Sequence, residues 1–399
     1  MSLNGVVSAE RVHIGFFGLR NAGKSSVVNA VTGQELAVVS EVKGTTTDPV
    51  KKAMEILPLG PVVVIDTPGI DDEGALGEKR VEKTYGILNK TNIAVLVVDA
   101  LRGKQQADEE LISVFEKRSI PYIVVYNKSD LLAEVPATKE NEIFVSALKN
   151  ENINELKEKM ASLLKDDTKE KYIVSDLLDA GDTVVLVIPI DESAPKGRLI
   201  LPQQMTIRDV LDKNCTVVCC QVNELKSTLY NLSKKPKLVI TDSQAFGAVS
   251  KIVPDDLLLT SFSILMARYK GDLDALVDGA AKLNSIKDGD KILISEGCTH
   301  HRQCNDIGTV KIPGWIKNYT KSEPEFVFTS GGEFPEDLSE ISLVVHCGGC
   351  MLNEKEMKYR LLCAKEQGVP VVNYGVAIAQ MHGILKRSLE VFPQYYEKI

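Results

Sequence analysis

The sequence lacks long apolar segments, an excess of positive charge, internal repeats and low-complexity stretches. No apolar run approaches the roughly 20 residues that a membrane-spanning helix needs. No signal-peptide core precedes the charged pair Glu10 and Arg11. The net charge of −8 argues against a general electrostatic attraction to nucleic acid. We therefore expect a cytoplasmic protein that contacts neither a membrane nor nucleic acid.

The length and composition are those of an ordinary globular protein. With 399 residues the chain is too long for one hydrophobic core, and two or three domains are expected. Hydrophobic residues make up 44% of it and charged residues 26%, as in typical soluble domains. Eight cysteines in a reducing compartment indicate metal-binding or structural roles more than disulfides.

A phosphate-binding loop lies near the start of the sequence. Residues 12–17 predict a strand, residues 18–25 match GxxxxGK[ST], and a helix is predicted over residues 26–31. A strand, this loop and a helix in sequence are the context that identifies a P-loop. Loop N–H groups then hold the phosphates, Lys24 reaches the β and γ oxygens, and Ser25 binds Mg²⁺. The predicted phosphate-binding residues are Gly18, Asn21, Gly23, Lys24, Ser25 and Ser26.

Three further motifs follow predicted strands. In residues 66–69 (Asp-Thr-Pro-Gly), Asp66 would hold Mg²⁺ through water and the Gly69 N–H would sense the γ-phosphate. In residues 127–130 (Asn-Lys-Ser-Asp), the carboxylate can accept two hydrogen bonds from guanine, which adenine cannot supply. Residues 146–148 offer backbone groups to the guanine oxygen. The predicted base-binding residues are Asn127, Lys128, Asp130, Ser146 and Ala147. The four motifs together predict a domain that binds GTP or GDP with Mg²⁺, over residues 1–168.

The hydrolytic apparatus is predicted to be unusual. Ile70 stands where many GTPases have a glutamine that orients water, and an isoleucine cannot form that hydrogen bond. Asn21 resembles the asparagine with which TrmE-like GTPases hold a K⁺ ion, and its alternative role is to tolerate a left-handed turn. Thr46 is our choice among three consecutive threonines for the Mg²⁺-sensing residue. The predicted catalytic residues are Asn21, Lys24, Thr46 and Asp66, with K⁺-stimulated hydrolysis expected.

Two smaller α/β domains are predicted beyond a charged linker at residues 166–171. In the first, residues 169–262, we expect strands at 183–189, 216–221 and 238–241, with Cys215, Cys219 and Cys220 as small apolar core residues. A helix over residues 256–270 is predicted to mark the boundary. In the second, residues 263–399, alternating strands and helices favour a mostly parallel sheet. Cys363 is expected in its core.

Two loops of the last domain carry the metal-binding side chains. Residues 346–350 (His-Cys-Gly-Gly-Cys) and residues 297–301 (Gly-Cys-Thr-His-His) each follow a predicted strand. The carboxyl ends of parallel strands lie together, where open α/β sheets bind ligands. The candidate metal ligands are Cys298, Cys347 and Cys350, with His300 and His346 beside them and His301 and Cys304 as substitutes. Zinc and an iron–sulfur cluster fit this spacing equally well.

The order of these motifs resembles one family. A GTPase domain of this type, followed by Cys298-x-His300 and then His346-Cys347-x-x-Cys350, is similar to HydF, the GTPase of [FeFe]-hydrogenase maturation. The resemblance implies a [4Fe–4S] cluster on the three cysteines, a middle dimerisation domain, and a homodimer or larger assembly. It also implies a scaffold that receives a transient diiron precursor from radical-SAM maturases and delivers it to apo [FeFe]-hydrogenase. The alternative is a zinc-containing TrmE- or Era-like regulatory GTPase that acts on RNA or the ribosome.

Overall fold

The computed structural model describes residues 10–34, 50–67, 86–164, 171–190, 197, 199–297, 306–349 and 352–396. The chain divides into two compact units, Met1–Lys169 and Glu170–Ile399. Each unit is built on parallel strands covered by helices, so the predicted α/β class with mostly parallel sheets is confirmed. In the part of the chain that the structure describes, no helix is both long and apolar enough to cross a bilayer.

The first unit is organised on a six-stranded sheet of described residues, in the order β2-β3-β1-β4-β5-β6. Only β2 runs antiparallel to its neighbour, and the other pairs are parallel. The strands are β1 Val12–Phe17, β2 Val50–Ile56, β3 Gly60–Asp66, β4 Ile93–Asp99, β5 Tyr122–Asn127 and β6 Glu142–Val145. The helices are α1 Lys24–Thr32, α2 Gln106–Lys117 and α3 Ile153–Ser162. Apolar cores cover both faces of the sheet, one with α1 and α3 and the other with α2.

The second unit carries two four-stranded parallel sheets of described residues. The first has the order β10-β9-β7-β8, and its strands are β7 Thr183–Val187, β8 Thr216–Cys220, β9 Leu238–Thr241 and β10 Leu258–Ser261. Its helices are α4 Leu201–Asp212, α5 Leu225–Asn231, α6 Phe246–Val249 and α7 Phe262–Lys270. The register pairs Leu186 with both Cys219 and Ile240, so β7 is a central strand and β8 is an edge.

The second sheet of this unit has the order β12-β11-β13-β14. Its strands are β11 Lys291–Glu296, β12 Glu325–Ser330, β13 Ile341–His346 and β14 Val371–Asn373. Its helices are α8 Leu273–Ala281, α9 Ile312–Thr320, α10 Glu354–Glu366, α11 Tyr374–Met381, α12 Leu385–Ser388 and α13 Pro393–Tyr396, with a π-helical turn at Ile307–Lys311. One apolar core includes residues of both sheets, such as Leu186 and Ile292.

The helix predicted over residues 256–270 is wrong in its first half. Leu258–Ser261 is the edge strand β10, paired with β9, and the helix begins only at Phe262. Ser261 caps that helix, because its side chain accepts a hydrogen bond from the Ile264 N–H. A short apolar run does not distinguish a buried strand from a buried helix, so the sequence pattern could not place this boundary.

The predicted burial of the middle-domain cysteines is wrong for one of the three. Cys215 and Cys220 are buried, whereas Cys219 is exposed. The reason is the edge position of β8, where successive side chains alternate between the covered and the open face. Cys363 is half-buried and packs against the apolar core, as expected.

Candidate nucleotide and thiolate sites

The P-loop follows β1 in a conformation that requires its glycines. Gly18 has φ +138°, and a Cβ built on it would lie 2.2 Å from the Val97 carbonyl oxygen. Gly23, directly before α1, has φ +87°, and its Cβ would lie 2.2 Å from Nδ2 of Asn127. The exposed Asn21 adopts φ 62°, which an asparagine tolerates better than most residues. The glycines therefore let the loop pass close to the sheet and to the third motif.

Gly23→Ala is expected to weaken GTP binding strongly. The new methyl group would force Asn127 away from the loop, and the left-handed backbone costs an alanine roughly 1–2 kcal/mol. The matched control is Gly33→Ala at the other end of α1, where φ is +65° but nothing lies within 4 Å of the new Cβ. We expect the control to lose stability without losing nucleotide affinity. Equal losses of GTP affinity in both variants, measured by titration calorimetry, would contradict the proposed contact.

The predicted phosphate lysine lies buried over its own loop. Lys24 Nζ donates hydrogen bonds to the carbonyl oxygens of Gly18, at 2.8 Å, and Leu19, at 2.9 Å. These two bonds hold the ammonium group against the first residues of its own loop. The contact of Lys24 with the β and γ phosphates stays a prediction.

The predicted magnesium residues lie together where β3 ends. Ser25 Oγ donates to Asp66 Oδ2 at 2.9 Å. Asp66 is buried, and its Oδ1 has no hydrogen-bond partner among the described residues. Burial raises the pKa of Asp66, and the Ser25 hydrogen bond and the Lys24 charge oppose this shift. A hydroxyl and a carboxylate oxygen that is buried without a partner fit a hydrated Mg²⁺ ion, which takes oxygen ligands.

The base-binding motif at residues 127–130 connects the P-loop to the motif at residues 146–148. Asn127 Nδ2 donates to the Ala22 carbonyl at 3.2 Å, and Asn127 Oδ1 accepts from the Ala147 N–H at 3.1 Å. Lys128 has φ 67°, and its Nζ donates to the Asn21 carbonyl at 2.9 Å. Asp130 follows in a single 3-10 turn, half-buried. Asn127, Lys128 and Ala147 therefore belong to one hydrogen-bonded network beside the phosphate loop.

The sequence analysis missed Asp99, at the carboxyl end of β4. Its Oδ2 pairs with Lys128 Nζ at 2.5 Å, so it fixes the lysine that spans the P-loop. The sequence could have indicated Asp99, because it is an acidic residue at the end of an apolar strand. In a parallel sheet with a P-loop, the carboxyl ends of the strands form the ligand-binding edge.

The two cysteine-bearing loops are brought together by adjacent strands. In the register of β11 with β13, Ser295 pairs with His346, so both strands end at the same level. Cys347 Sγ accepts hydrogen bonds from the N–H groups of Gly297, at 3.0 Å, and Gly349, at 3.4 Å. Two N–H donors at one sulfur stabilise a thiolate. The half-buried Cys347 thus fits the chemistry of a metal-binding thiolate.

His346 uses both of its ring nitrogens within the protein. Nδ1 lies 2.6 Å from the Cys347 carbonyl oxygen, and Nε2 lies 3.0 Å from Arg360 Nη1. Complete burial and the neighbouring Arg360 charge lower the pKa of His346 to about 3. The ring is therefore a neutral imidazole that is held from both sides.

Several predicted site residues lie outside the described part of the chain. They are Thr46, Gly69, Ile70, Cys298, His300, His301, Cys304 and Cys350. Among the described residues, no group of three or more metal-binding side chains converges. Cys298 directly follows Gly297, and Cys350 directly follows Gly349, the two residues whose N–H groups contact Cys347 Sγ.

Comparison with protein families gives three consecutive matches. The model of the 50S ribosome-binding GTPase matches residues 13–128. The Hydrogen maturase F dimerization domain matches residues 173–271, and the Hydrogen maturase F tetramerization domain matches residues 274–391. The last two together cover more than half of the chain.

Two curated relatives each match well under half of the chain. The tRNA modification GTPase MnmE of Nitrosomonas europaea is 32% identical over 169 residues, covering 41% of this chain and 36% of that protein. GTPase Der of Kosmotoga olearia is 35% identical over 147 residues, covering 36% and 32%. The chain therefore spans about a third of the length of the curated relatives it matches.

Solved structures also match weakly. A probable GTP-binding protein engB is 23% identical with a TM-score of 0.32, over 39% of this chain and 100% of that chain. Era in complex with MgGDPNP and part of 16S ribosomal RNA is 21% identical with a TM-score of 0.35, over 58% and 92%. Similarity at this level carries no argument about function.

Proposed function

Because the chain belongs to the hydrogen maturase F family of GTPases, we propose that it is a scaffold of [FeFe]-hydrogenase maturation. It hydrolyses GTP, holds a [4Fe–4S] cluster, and delivers a diiron precursor to the apo-hydrogenase. One observation carries the proposal. The Gly297 N–H donates to Cys347 Sγ and so joins the two loops in which the predicted thiolates stand.

The nucleotide is held by the residues of the first unit. Backbone N–H groups of the P-loop and Lys24 bind the phosphates, while Ser25 and Asp66 bind Mg²⁺ with its water ligands. The carboxylate of Asp130 selects guanine, since adenine would leave it without hydrogen-bond donors. Thr46 and Gly69 are proposed to sense the γ-phosphate. GTP hydrolysis then times the exchange of partners and does not drive the metal chemistry.

K⁺ is proposed to supply positive charge beside the phosphates in addition to that of Lys24. Ile70 cannot orient water, and Asn21 lies exposed on the P-loop, where its side chain can bind a cation beside the phosphates. A preorganised cation stabilises charge that develops in the transition state. Asn21 also has a left-handed φ of 62°, so the competing hypothesis is that this residue only allows the turn of the loop.

Hydrolysis is therefore expected to be faster in KCl than in NaCl at equal ionic strength. Asn21→Gly keeps the left-handed turn and removes the side chain, so it should abolish the difference between the two salts while preserving GTP binding. Single-turnover rates of GTP hydrolysis measure this. Equal rates of the natural protein in both salts would leave Asn21 with a conformational role only.

The thiolate residues are proposed to hold the cluster. Cys298, Cys347 and Cys350 would bind three irons, and backbone N–H groups such as those of Gly297 and Gly349 would stabilise the charge on sulfur. When bound, the cluster supplies a fourth iron with an exchangeable position for the precursor. His300 and His346 are the sequence-predicted candidates to occupy that position.

The partners follow from the same family assignment. The matched dimerization and tetramerization models support a homo-oligomer. Radical-SAM maturases and apo-hydrogenase are the proposed donor and acceptor of the precursor. A role on RNA or the ribosome is suggested by the name of the model that matches residues 13–128, whereas residues 173–271 and 274–391 match hydrogen maturase models.

Anaerobic purification of the full chain tests the proposal. We expect a brown protein with iron and sulfide, and Lys24→Ala should lose GTP hydrolysis while keeping the same iron content. The expectation rests on the separation of the P-loop and the cysteine loops into two compact units. A colourless protein with bound zinc would overturn the scaffold proposal and favour the zinc-containing regulatory GTPase.

A further inference from the structure

A fully buried arginine lies beside the cysteine loops. Arg360, on α10, has all five of its N–H donors in hydrogen bonds with described residues. Nε and Nη2 donate to Glu356 Oε1, at 3.1 and 2.9 Å, and Nη2 also donates to the Gly331 carbonyl at 2.7 Å. Nη1 donates to Ser295 Oγ, at 3.1 Å, and to His346 Nε2, at 3.0 Å. The guanidinium group therefore has a single orientation.

Apart from Glu356, which lies on α10 itself, these acceptors lie on two strands of the sheet or directly after a third. Ser295 lies on β11, His346 ends β13, and Gly331 directly follows β12. The Phe334 ring covers the guanidinium, with 5.3 Å from Cζ to the ring centroid. Arg360 consequently fixes the ends of the two strands that lead into Gly297 and Cys347.

The contact with Arg360 decides the protonation of His346. An arginine only donates, so His346 Nε2 must offer its lone pair to Arg360. The other nitrogen, Nδ1, then carries the hydrogen and donates it to the Cys347 carbonyl oxygen. In this arrangement, His346 has no lone pair left for a metal ion.

We propose that Arg360 is a positioning residue of the thiolate site, which keeps His346 out of the iron coordination shell and so leaves the fourth cluster position to an exchangeable ligand. The proposal rests on the proposed function, since it requires that the thiolates hold a cluster. It changes the role of His346 from a candidate ligand to a group that supports the Cys347 backbone.

A purely structural role is the competing explanation. Buried ion pairs such as Arg360 with Glu356 can often be replaced by apolar residues of similar volume without loss of stability. Stability alone therefore does not separate the two roles. The identity of the iron ligands does, because a purely structural arginine would leave them unchanged.

The test compares full-length variants whose cluster is reconstituted anaerobically with iron and sulfide. The proteins carry ¹⁵N-labelled histidine, and pulsed EPR of the reduced cluster measures the magnetic coupling of a histidine nitrogen that is bound to iron. His346→Gln removes the imidazole but keeps an acceptor for Arg360, and we expect its nitrogen coupling to equal that of the natural protein. Arg360→Met with Glu356→Leu removes the whole buried ion pair. In a His300→Ala background, this change should release His346 and produce a new histidine coupling, which His346→Gln then abolishes.

The outcomes separate the two proposals. A natural protein that holds no cluster contradicts the proposed function. A natural protein that holds a cluster but loses a nitrogen coupling in His346→Gln overturns the role of Arg360 alone. That role is likewise overturned if the apolar double variant keeps its cluster and gains no histidine coupling. If the double variant cannot hold a cluster, the role of Arg360 is still overturned by any histidine coupling that the natural protein shows and His346→Gln lacks.

Discussion

Cys347→Ser is expected to remove most of the iron from the anaerobically purified protein. Cys347 Sγ is the described sulfur at which N–H groups from both cysteine loops meet. A serine oxygen is a poorer ligand for iron, and two remaining protein ligands are too few to anchor a cubane. Mutation of a residue that only hydrogen-bonds to a metal ligand weakens metal affinity on the order of 10- to 100-fold. Loss of a ligand itself should therefore reduce the affinity further.

A matched control exists on the helix that follows the cysteine loop. Cys363 on α10 is half-buried and packs against the apolar core, so Cys363→Ser makes the same chemical change away from the proposed ligands. We expect its iron content to equal that of the natural protein. Iron and sulfide assays, with the absorbance of the cluster, measure both variants.

The first cysteine loop is tested in the same way. Cys298→Ser and Cys350→Ser should lose iron as Cys347→Ser does, whereas Cys304→Ser should keep it. A full cluster in Cys298→Ser together with its loss in Cys304→Ser would show that Cys304 is the ligand from this loop.

The second large effect is expected at Asp130. Asp130→Asn replaces an acceptor by a donor opposite guanine N1 and N2, and a site left with unpaired polar groups discriminates by about 10⁴-fold. We therefore expect GTP affinity to fall by about that factor. The asparagine amide can instead donate to the additional carbonyl oxygen of xanthine, so affinity for xanthosine triphosphate should rise.

Competition binding with the two nucleotides measures this change. The control is Glu134→Gln, a similar loss of charge at an exposed carboxylate four residues further on, which should leave both affinities unchanged. Unchanged discrimination between GTP and xanthosine triphosphate in Asp130→Asn would show that Asp130 does not contact the base.

The sequence by itself determined the features that depend on local patterns. The P-loop could be predicted because a strand, a glycine-bearing loop and a helix are contiguous. In the structure Lys24 donates to the Gly18 carbonyl of that loop, and Ser25 donates to Asp66. The parallel sheets followed from apolar strands that alternate with helices. The cysteine loops could be identified because each follows a buried strand, so their meeting at one edge of the sheet was predictable.

Only the tertiary structure decided how distant residues divide the available hydrogen bonds. Leu258–Ser261 forms the strand β10 because it pairs with β9, and Cys219 is exposed because β8 is an edge strand. A run of apolar residues in the sequence reveals neither the pairing nor the edge position. Arg360 looks like an ordinary surface position of a charged helix, yet it is fully buried and contacts His346 and Ser295, 14 and 65 residues away. A residue pattern predicts which side chains can bind a metal, but packing fixes which lone pairs remain to do so, because each buried donor must find an acceptor.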